Sequence, residues 1–144
     1  MSGERSQMTA PFPQMVTFIY ADPPEPCWRF YGEALALPLV LDQSGCRIYR
    51  VAGDAFLGVC RARPHDAPDP AAHGRRRGAV LTLVVRDGAA VDAWAATLTA
   101  RGVALEAPPA HNAADGIDHF YVRDPAGYLV EIQAFRSPAW PQAR

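Results

Sequence analysis

The 144-residue chain repeats one order of elements in its two halves. In each half a short apolar strand precedes a helix, and three further strand-like runs follow. Hydrophobic periodicity and turn residues place the first set at 16–21, 25–36, 39–42, 47–51 and 55–61. They place the second set at 79–85, 91–98, 103–106, 119–123 and 128–135. Because each half alone is too small to bury both a helix face and a sheet face, the sequence predicts an α+β fold of two tandem βαβββ modules.

Turn residues and local composition set the boundaries of these modules. Asp22 in the first half corresponds to Asp87 in the second, and Phe56 corresponds to Tyr128. The predicted units are a flexible N-terminal tail at 1–14, a first module at 15–62, a linker at 63–78, a second module at 79–136 and a C-terminal tail at 137–144. The linker contains three prolines and the run Arg75-Arg76-Arg77, a composition that favours a solvated segment.

The charge balance limits the partners that the chain can have. It carries 14 basic and 15 acidic residues, a formal net charge of -1 at pH 7, which argues against nucleic acid and against a polybasic membrane contact. No apolar run reaches the ~18 residues that a membrane span needs. The first 14 residues lack the apolar stretch of a signal peptide, so a cytoplasmic location is expected.

Three cysteines, Cys27, Cys46 and Cys60, are present. Their number is odd and their spacing fits no zinc-binding pattern. In a cytoplasmic protein we expect all three to stay reduced and to fill small apolar spaces.

One segment of the second half carries a family resemblance. The residues His119 to Ile132, HFYVRDPAGYLVEI, comprise a strand, a tight turn and a strand, and they resemble the closing hairpin of the vicinal oxygen chelate superfamily, which includes glyoxalases, bleomycin resistance proteins and extradiol dioxygenases. The usual turn there is Asp-Pro-Asp-Gly-Asn, from which Ala126 and Tyr128 depart. The segment RFYGEALALPL at 29–39 is similar to the Phe-Tyr-x-x-x-Leu-Gly-Leu helix end of that superfamily. The resemblance implies two curved mixed sheets that form a half-barrel cavity, and it identifies a fold rather than a reaction.

Strand alternation predicts which side chains face this cavity, because successive residues point to opposite faces of a sheet. The mixed face predicted for the second module comprises Thr82, His119, Tyr121, Glu131 and Gln133. The mixed face predicted for the first module comprises Thr17, Arg47, Tyr49, Leu57 and Val59. Such polarity is typical of a pocket wall, and a partly solvated sheet face is the alternative. The predicted ligand-binding residues are Thr17, Arg47, Tyr49, Thr82, Glu131 and Gln133.

The resemblance also implies where a metal ion would bind. Metal-dependent members take His and Glu ligands from the first and last strand of each module and leave a coordination position open. The corresponding positions here are Met15, Val80, Val59 and Glu131, and a slip of one residue adds Gln14 and Val16. One carboxylate does not hold a catalytic divalent ion without other donors. No cofactor is therefore expected, and a divalent metal, if bound, would use Glu131.

Three functions stay open at this point. The first is a metal-independent protein that binds a small organic molecule between the modules, as drug-sequestering members of the superfamily do. The second is a lyase, isomerase or dioxygenase-like enzyme with Glu131, His119 and Tyr121 as catalytic residues, Glu131 serving as a base or as a single metal ligand. The third is a structural or regulatory dimer without a ligand. A homodimer is expected in each case, because superfamily members commonly pair and the open sheets need covering.

Overall fold

The computed structural model describes residues 10–66, 74–76, 78–114 and 116–141, and it describes residue 65 by its backbone alone. Parts of three predicted segments lie outside the described residues: 1–9 of the tail at 1–14, 67–73 and 77 of the linker at 63–78, and 142–144 of the tail at 137–144. None of the described helices has the length and apolar character that crossing a membrane requires.

The order of elements is the predicted one, with two βαβββ modules in tandem. The first module comprises β1 (Met15–Ala21), α1 (Glu25–Arg29), which continues as a π-helical turn over Phe30–Ala34, β2 (Leu39–Gln43), β3 (Cys46–Ala52) and β4 (Ala55–Arg61). The second comprises β5 (Val80–Val84), α2 (Gly88–Ala100), β6 (Ala110–Asn112), β7 (Ile117–Arg123) and β8 (Leu129–Phe135). Proline in the first turn favours the start of α1, and the Asp87 side chain caps α2 by accepting from the Ala90 N–H at 2.9 Å.

Each module forms one four-stranded mixed sheet. The strand orders are β1-β4-β3-β2 and β5-β8-β7-β6. The pairs β1–β4 and β5–β8 are parallel and the other pairs are antiparallel. Both sheets are open rather than closed barrels, and their buried apolar side chains form one core with the helices. The predicted fold class is confirmed.

The two modules contact each other through a buried hydrogen bond. The hydroxyl of Tyr31, in the π-helical turn, donates to Oδ2 of Asp124 at 2.6 Å. Asp124 also closes the turn between β7 and β8, because its Oδ1 accepts from the backbone N–H groups of Ala126 and Tyr128 at 2.9 Å each. Burial, followed by the neighbouring Asp124, raises the pKa of Tyr31 well above its usual value, so the hydroxyl stays a donor.

Arg76 joins the modules at a second place. Its guanidinium lies 4.4 Å from the ring centroid of Tyr128. It also donates at 3.0–3.2 Å to three backbone carbonyl oxygens, those of Tyr20, Ala126 and Asp66. The prediction of a solvated arginine run is therefore wrong for Arg76, whereas Arg75 is exposed.

The edge strand of the second sheet differs from the prediction. The strand expected at 103–106 is wrong, since only an isolated bridge forms there, and β6 lies in the segment expected to be a loop. His111 holds β6 in place, because its Nδ1 lies 2.9 Å from Asp118 Oδ1 and its Nε2 lies 3.1 Å from Asp92 Oδ1 on α2. The hydrogen bond with Asp118 raises the pKa of His111. The hydrogen bonds of His111 with Asp118 and Asp92 thus fix the position of β6, a strand that the local sequence did not predict.

Two of the three cysteines are paired. Cys46 and Cys60 form a disulfide bond and face each other directly in the register of β3 and β4. The expectation of free thiols is therefore wrong for this pair, because strand pairing brings together residues whose spacing gave no sign of it. Cys27 is buried and free, and burial raises the pKa of its thiol to about 12. The cytoplasmic location stays a prediction.

Candidate functional site

The second sheet carries α2 on one face and leaves the other face open. The helix face buries Phe120, Val122, Val130 and Ile132, each at most 2% exposed. In the strand register Glu131 pairs with both Thr82 and Tyr121, and Gln133 pairs with His119. Partners in register share a face, so the structure places all five predicted residues of the second module together. We call this set the second open face: Thr82, His119, Tyr121, Glu131 and Gln133.

The carboxylate of Glu131 is the centre of a hydrogen-bond network on the second open face. The Thr82 hydroxyl donates to Oε1 at 2.7 Å, and His119 Nδ1 lies 2.7 Å from Oε2. The amide of Gln133 is assigned with its nitrogen toward Glu131, since the opposite assignment sets acceptor against acceptor, and that nitrogen donates to both carboxylate oxygens at 2.8 Å. The Glu131 side chain is only 8% exposed, against 18% for His119.

Tyr121 completes this network. Its ring meets the ring of His119 edge to face, with 5.2 Å between the centroids. Burial raises the pKa of Tyr121, and its hydrogen bond with Glu131 raises that pKa further. The hydroxyl is therefore protonated at neutral pH. A carboxylate that holds an imidazole in this way can anchor a ligand or position an acid–base group.

The residues predicted for the first module lie on the other side of their sheet. The register and the burial pattern show that five predicted residues lie on the helix face: Thr17, Arg47, Tyr49, Leu57 and Val59. The Tyr49 hydroxyl donates to the Trp28 carbonyl at 3.2 Å, and the Arg47 guanidinium lies 4.4 Å from the Trp28 ring centroid. The predicted position of these residues on the same face as Thr82 and Glu131 is wrong, because the alternation was assigned one residue out of phase.

The open face of the first sheet is apolar instead. Val16 pairs with Phe56 and Phe18 pairs with Gly58 across β1 and β4. The ring of Phe18 covers Gly58, since a Cβ at that glycine would lie 2.4 Å from Phe18 Cδ1. The first sheet therefore presents hydrophobic surface where the second sheet presents Glu131.

Two cavities adjoin the second open face at Thr82. One of about 200 Å³ lies between the edges of the two sheets and is also lined by Thr17, Tyr31 and Leu57. The other, of about 700 Å³, extends along β5 to Phe135 and Trp140. A larger cleft of about 860 Å³ opens on the helix side, away from every predicted site residue.

Phe135 and Trp140 were not among the residues predicted for the site. Their rings stack with 3.8 Å between centroids, and they form an aromatic wall of the 700 Å³ cavity. Phe135 follows Glu131 and Gln133 at alternate positions of β8, so the alternation that placed those two residues also places Phe135 on the open face.

The donor set does not fit the metal site that the resemblance implies. Val59 is buried in the core, and the open-face residues Val16 and Val80 are apolar. Across residues 10–66, 74–76, 78–114 and 116–141, no three His, Cys, Asp or Glu side chains are placed to hold a metal ion. In the Glu131 network described above, His119 is the one further side chain among His, Cys, Asp and Glu. A catalytic ion needs about three protein ligands.

Comparisons with known proteins agree on one family. Residues 14–132 match the family model of the Glyoxalase/Bleomycin resistance protein/Dioxygenase superfamily. No curated protein matches the sequence significantly.

Several solved structures share the fold. A glyoxalase/bleomycin resistance protein/dioxygenase from Nocardioides superposes with a TM-score of 0.73 at 18% identity, covering 99% of this chain and 95% of its own. A lactoylglutathione lyase from Agrobacterium tumefaciens gives 0.70 at 26% identity, with coverage of 92% and 100%. A glyoxalase-related enzyme from Fulvimarina pelagi gives 0.68 at 23% identity, with coverage of 94% and 91%.

Proposed function

Because the chain belongs to the Glyoxalase/Bleomycin resistance protein/Dioxygenase superfamily, we propose that it binds a small organic molecule on the second open face without a catalytic metal ion. The observation that carries this proposal is the Glu131 network. Three other side chains direct polar atoms at one nearly buried carboxylate at 2.7–2.8 Å, so the polar groups are held in place before a ligand arrives.

The neighbouring cavity supports the proposal. Its volume of about 700 Å³ falls within the range of roughly 300–1,000 Å³ typical of small-molecule pockets. Thr82 contributes both to this cavity and to the network. Apolar walls with a few fixed polar groups are the usual composition of a ligand site.

Metal independence rests on the donor set. At the positions that supply ligands in metal-dependent members, Glu131 is the one carboxylate; the others carry Met15, Val59 and Val80, and a slip of one residue adds Gln14 and Val16. A protein that lacks these donors holds a divalent ion weakly, so any ion would depend on groups supplied by the ligand itself.

An enzyme is the second candidate, and the contact between His119 and Glu131 favours it. A carboxylate 2.7 Å from imidazole Nδ1 fixes the ring and leaves Nε2 to exchange a proton with a substrate. The structural likeness to a lactoylglutathione lyase is compatible with lyase or isomerase chemistry using His119, Tyr121 and Glu131.

The first test is a thermal-shift screen of small organic molecules against the unchanged protein and Glu131→Gln. We expect Glu131→Gln to fold and to weaken binding by about tenfold or more, since it removes the charge at the centre of the network. Glu33→Gln, the same change at an exposed position on the helix side, is the matched control. Elemental analysis of protein purified without chelator should give much less than one divalent ion per chain.

Two results would contradict this proposal. Ligands that stabilise the protein and Glu131→Gln equally would remove Glu131 from the site. One tightly held Zn, Ni, Mn or Fe ion per chain would overturn metal independence.

We also propose that two copies of the chain pair. The edge strand β2 exposes Leu39, Val40 and Leu41 by 44–47% each, and an apolar stretch on a sheet edge is prone to pairing. Sedimentation equilibrium should give twice the chain mass of 15.6 kDa, and Leu41→Lys should give the single-chain mass. A single-chain mass for the unchanged protein would rule the dimer out.

A further inference from the structure

The hydrogen bonds of the Glu131 network all point in one direction. An ionised carboxylate only accepts hydrogen bonds. Thr82, His119 and Gln133 therefore each direct a donor at it. Gln133 directs one amide N–H between the two carboxylate oxygens, because its nitrogen lies 2.8 Å from each of them.

Inward donation leaves acceptors pointing outward. With Nδ1–H directed at Glu131, a neutral His119 presents the lone pair of Nε2. Gln133 presents its amide oxygen, and the hydroxyl oxygens of Thr82 and Tyr121 keep free lone pairs. The second open face thus offers a ligand several acceptors around one negative charge.

The basic side chain on the same face, that of Arg123, already has hydrogen-bond partners. Arg123 lies on that face by strand alternation. Its guanidinium donates to Glu106 Oε1 at 2.9 Å and to the carbonyl oxygens of Arg76 and Gly127 at 3.1 and 3.0 Å. It therefore does not neutralise Glu131.

An aromatic wall lies within reach of this acceptor-rich face. Phe135 follows Glu131 by four residues on the same strand, a distance of roughly 13 Å at about 3.3 Å per residue. Trp140 stacks on Phe135 and is 45% exposed. An aromatic face attracts apolar groups and also cations.

From this polarity we infer that the ligand is an amphipathic organic cation, with an ammonium or amidinium group at the Glu131 network and an apolar or aromatic body toward Phe135 and Trp140. This inference rests on the proposed function and adds the chemical class of its ligand. Ligands with a carboxylate or phosphate group are disfavoured, because their negative charge and acceptor oxygens would meet the negative charge of Glu131 and the acceptor atoms around it.

Three probes that share one aromatic body test the inference. Benzamidine carries a cation, benzamide is neutral and benzoate is an anion, so their comparison isolates charge. Each is titrated to about 10 mM, above the roughly 1 mM dissociation constant of a weakly held fragment, while NMR follows the His119 ring and the Trp140 indole. We expect benzamidine to bind at least tenfold more tightly than benzoate and to shift both signals.

Variants then locate the charge. Glu131→Gln should weaken benzamidine binding at least tenfold and abolish the preference over benzoate, whereas Glu33→Gln should change neither. Thr82→Val removes one inward donor but keeps the negative charge, so the preference should persist. If Glu131→Gln fails to fold, the probe series on the unchanged protein and on Thr82→Val still decides the question.

The outcomes separate this inference from the proposed function. Binding of benzoate or benzamide as tight as that of benzamidine, with Glu131→Gln still weakening it, overturns the cation class and leaves the site standing. No benzamidine binding also overturns the cation class. If the broader screen in addition finds no ligand sensitive to Glu131→Gln, the proposed function fails as well.

Discussion

Replacing Asp124 with alanine is expected to lower the free energy of unfolding by about 3 to 4 kcal/mol. Asp124 is 3% exposed. Its carboxylate accepts from the Tyr31 hydroxyl at 2.6 Å and from the N–H groups of Ala126 and Tyr128 at 2.9 Å. Alanine removes all three bonds and leaves buried donors unpaired, each at a cost of about 1 kcal/mol or more.

Urea unfolding followed by circular dichroism measures this loss. Tyr31→Phe removes only the bond between the modules and should cost about 1 to 2 kcal/mol. Asp42→Ala is the control for the same side-chain change, because Asp42 is exposed and its ion pair with Arg47 spans 3.5 Å. We expect that control to stay within about 1 kcal/mol of the unchanged protein. Equal losses in Asp124→Ala and Asp42→Ala would show that the buried carboxylate does not hold the modules together.

The same carboxylate connects the sequence motif to the fold. The turn Asp124-Pro125-Ala126-Gly127 was predicted from residue type alone, since aspartate accepts local N–H groups and glycine permits the φ of +91° found at Gly127. Its bond to Tyr31, 93 residues earlier in the chain, was not predictable, because nothing local marks which turn will meet which helix.

The candidate site was predictable in the second module for a physical reason. Polar and apolar residues alternate over 119–123 in β7 and 130–134 in β8, so a single phase satisfies the pattern and identifies His119, Tyr121 and Glu131 together. In β3 and β4 apolar residues occupy both faces. Shifting the assignment of faces by one residue therefore fits the hydrophobic pattern almost as well. Arg47 and Tyr49 were assigned to the wrong face for this reason.

Pairings across the chain account for the other differences. Cys46 and Cys60 meet only because the hairpin register sets them opposite each other, and several other registers would fit the same sequence. The aromatic pair of Phe135 and Trp140 likewise depends on how the C-terminal segment folds back.

Arg76→Ala is expected to lower the free energy of unfolding by about 2 to 4 kcal/mol. Alanine removes the guanidinium from three carbonyl oxygens, those of Tyr20, Ala126 and Asp66, of which that of Tyr20 keeps the Tyr128 hydroxyl as a donor at 3.3 Å. It also removes the guanidinium from the face of the Tyr128 ring, a contact worth about 0.5 to 1 kcal/mol or more. Since Tyr20 is the last residue but one of β1 and Ala126 lies in the turn before β8, the loss falls on the junction of the two modules.

Neighbouring variants separate this role from a general effect of charge. Arg76→Lys keeps the charge but cannot reach three carbonyl groups with one ammonium, so it should recover only part of the loss. Arg75→Ala removes the same charge from the adjacent exposed position and should stay within about 0.5 kcal/mol of the unchanged protein. A loss in Arg75→Ala equal to that in Arg76→Ala would contradict a specific contact. The modules would then be joined by the hydrogen bonds of Tyr31 with Asp124, Tyr20 with Tyr128 and Arg101 with Ala34.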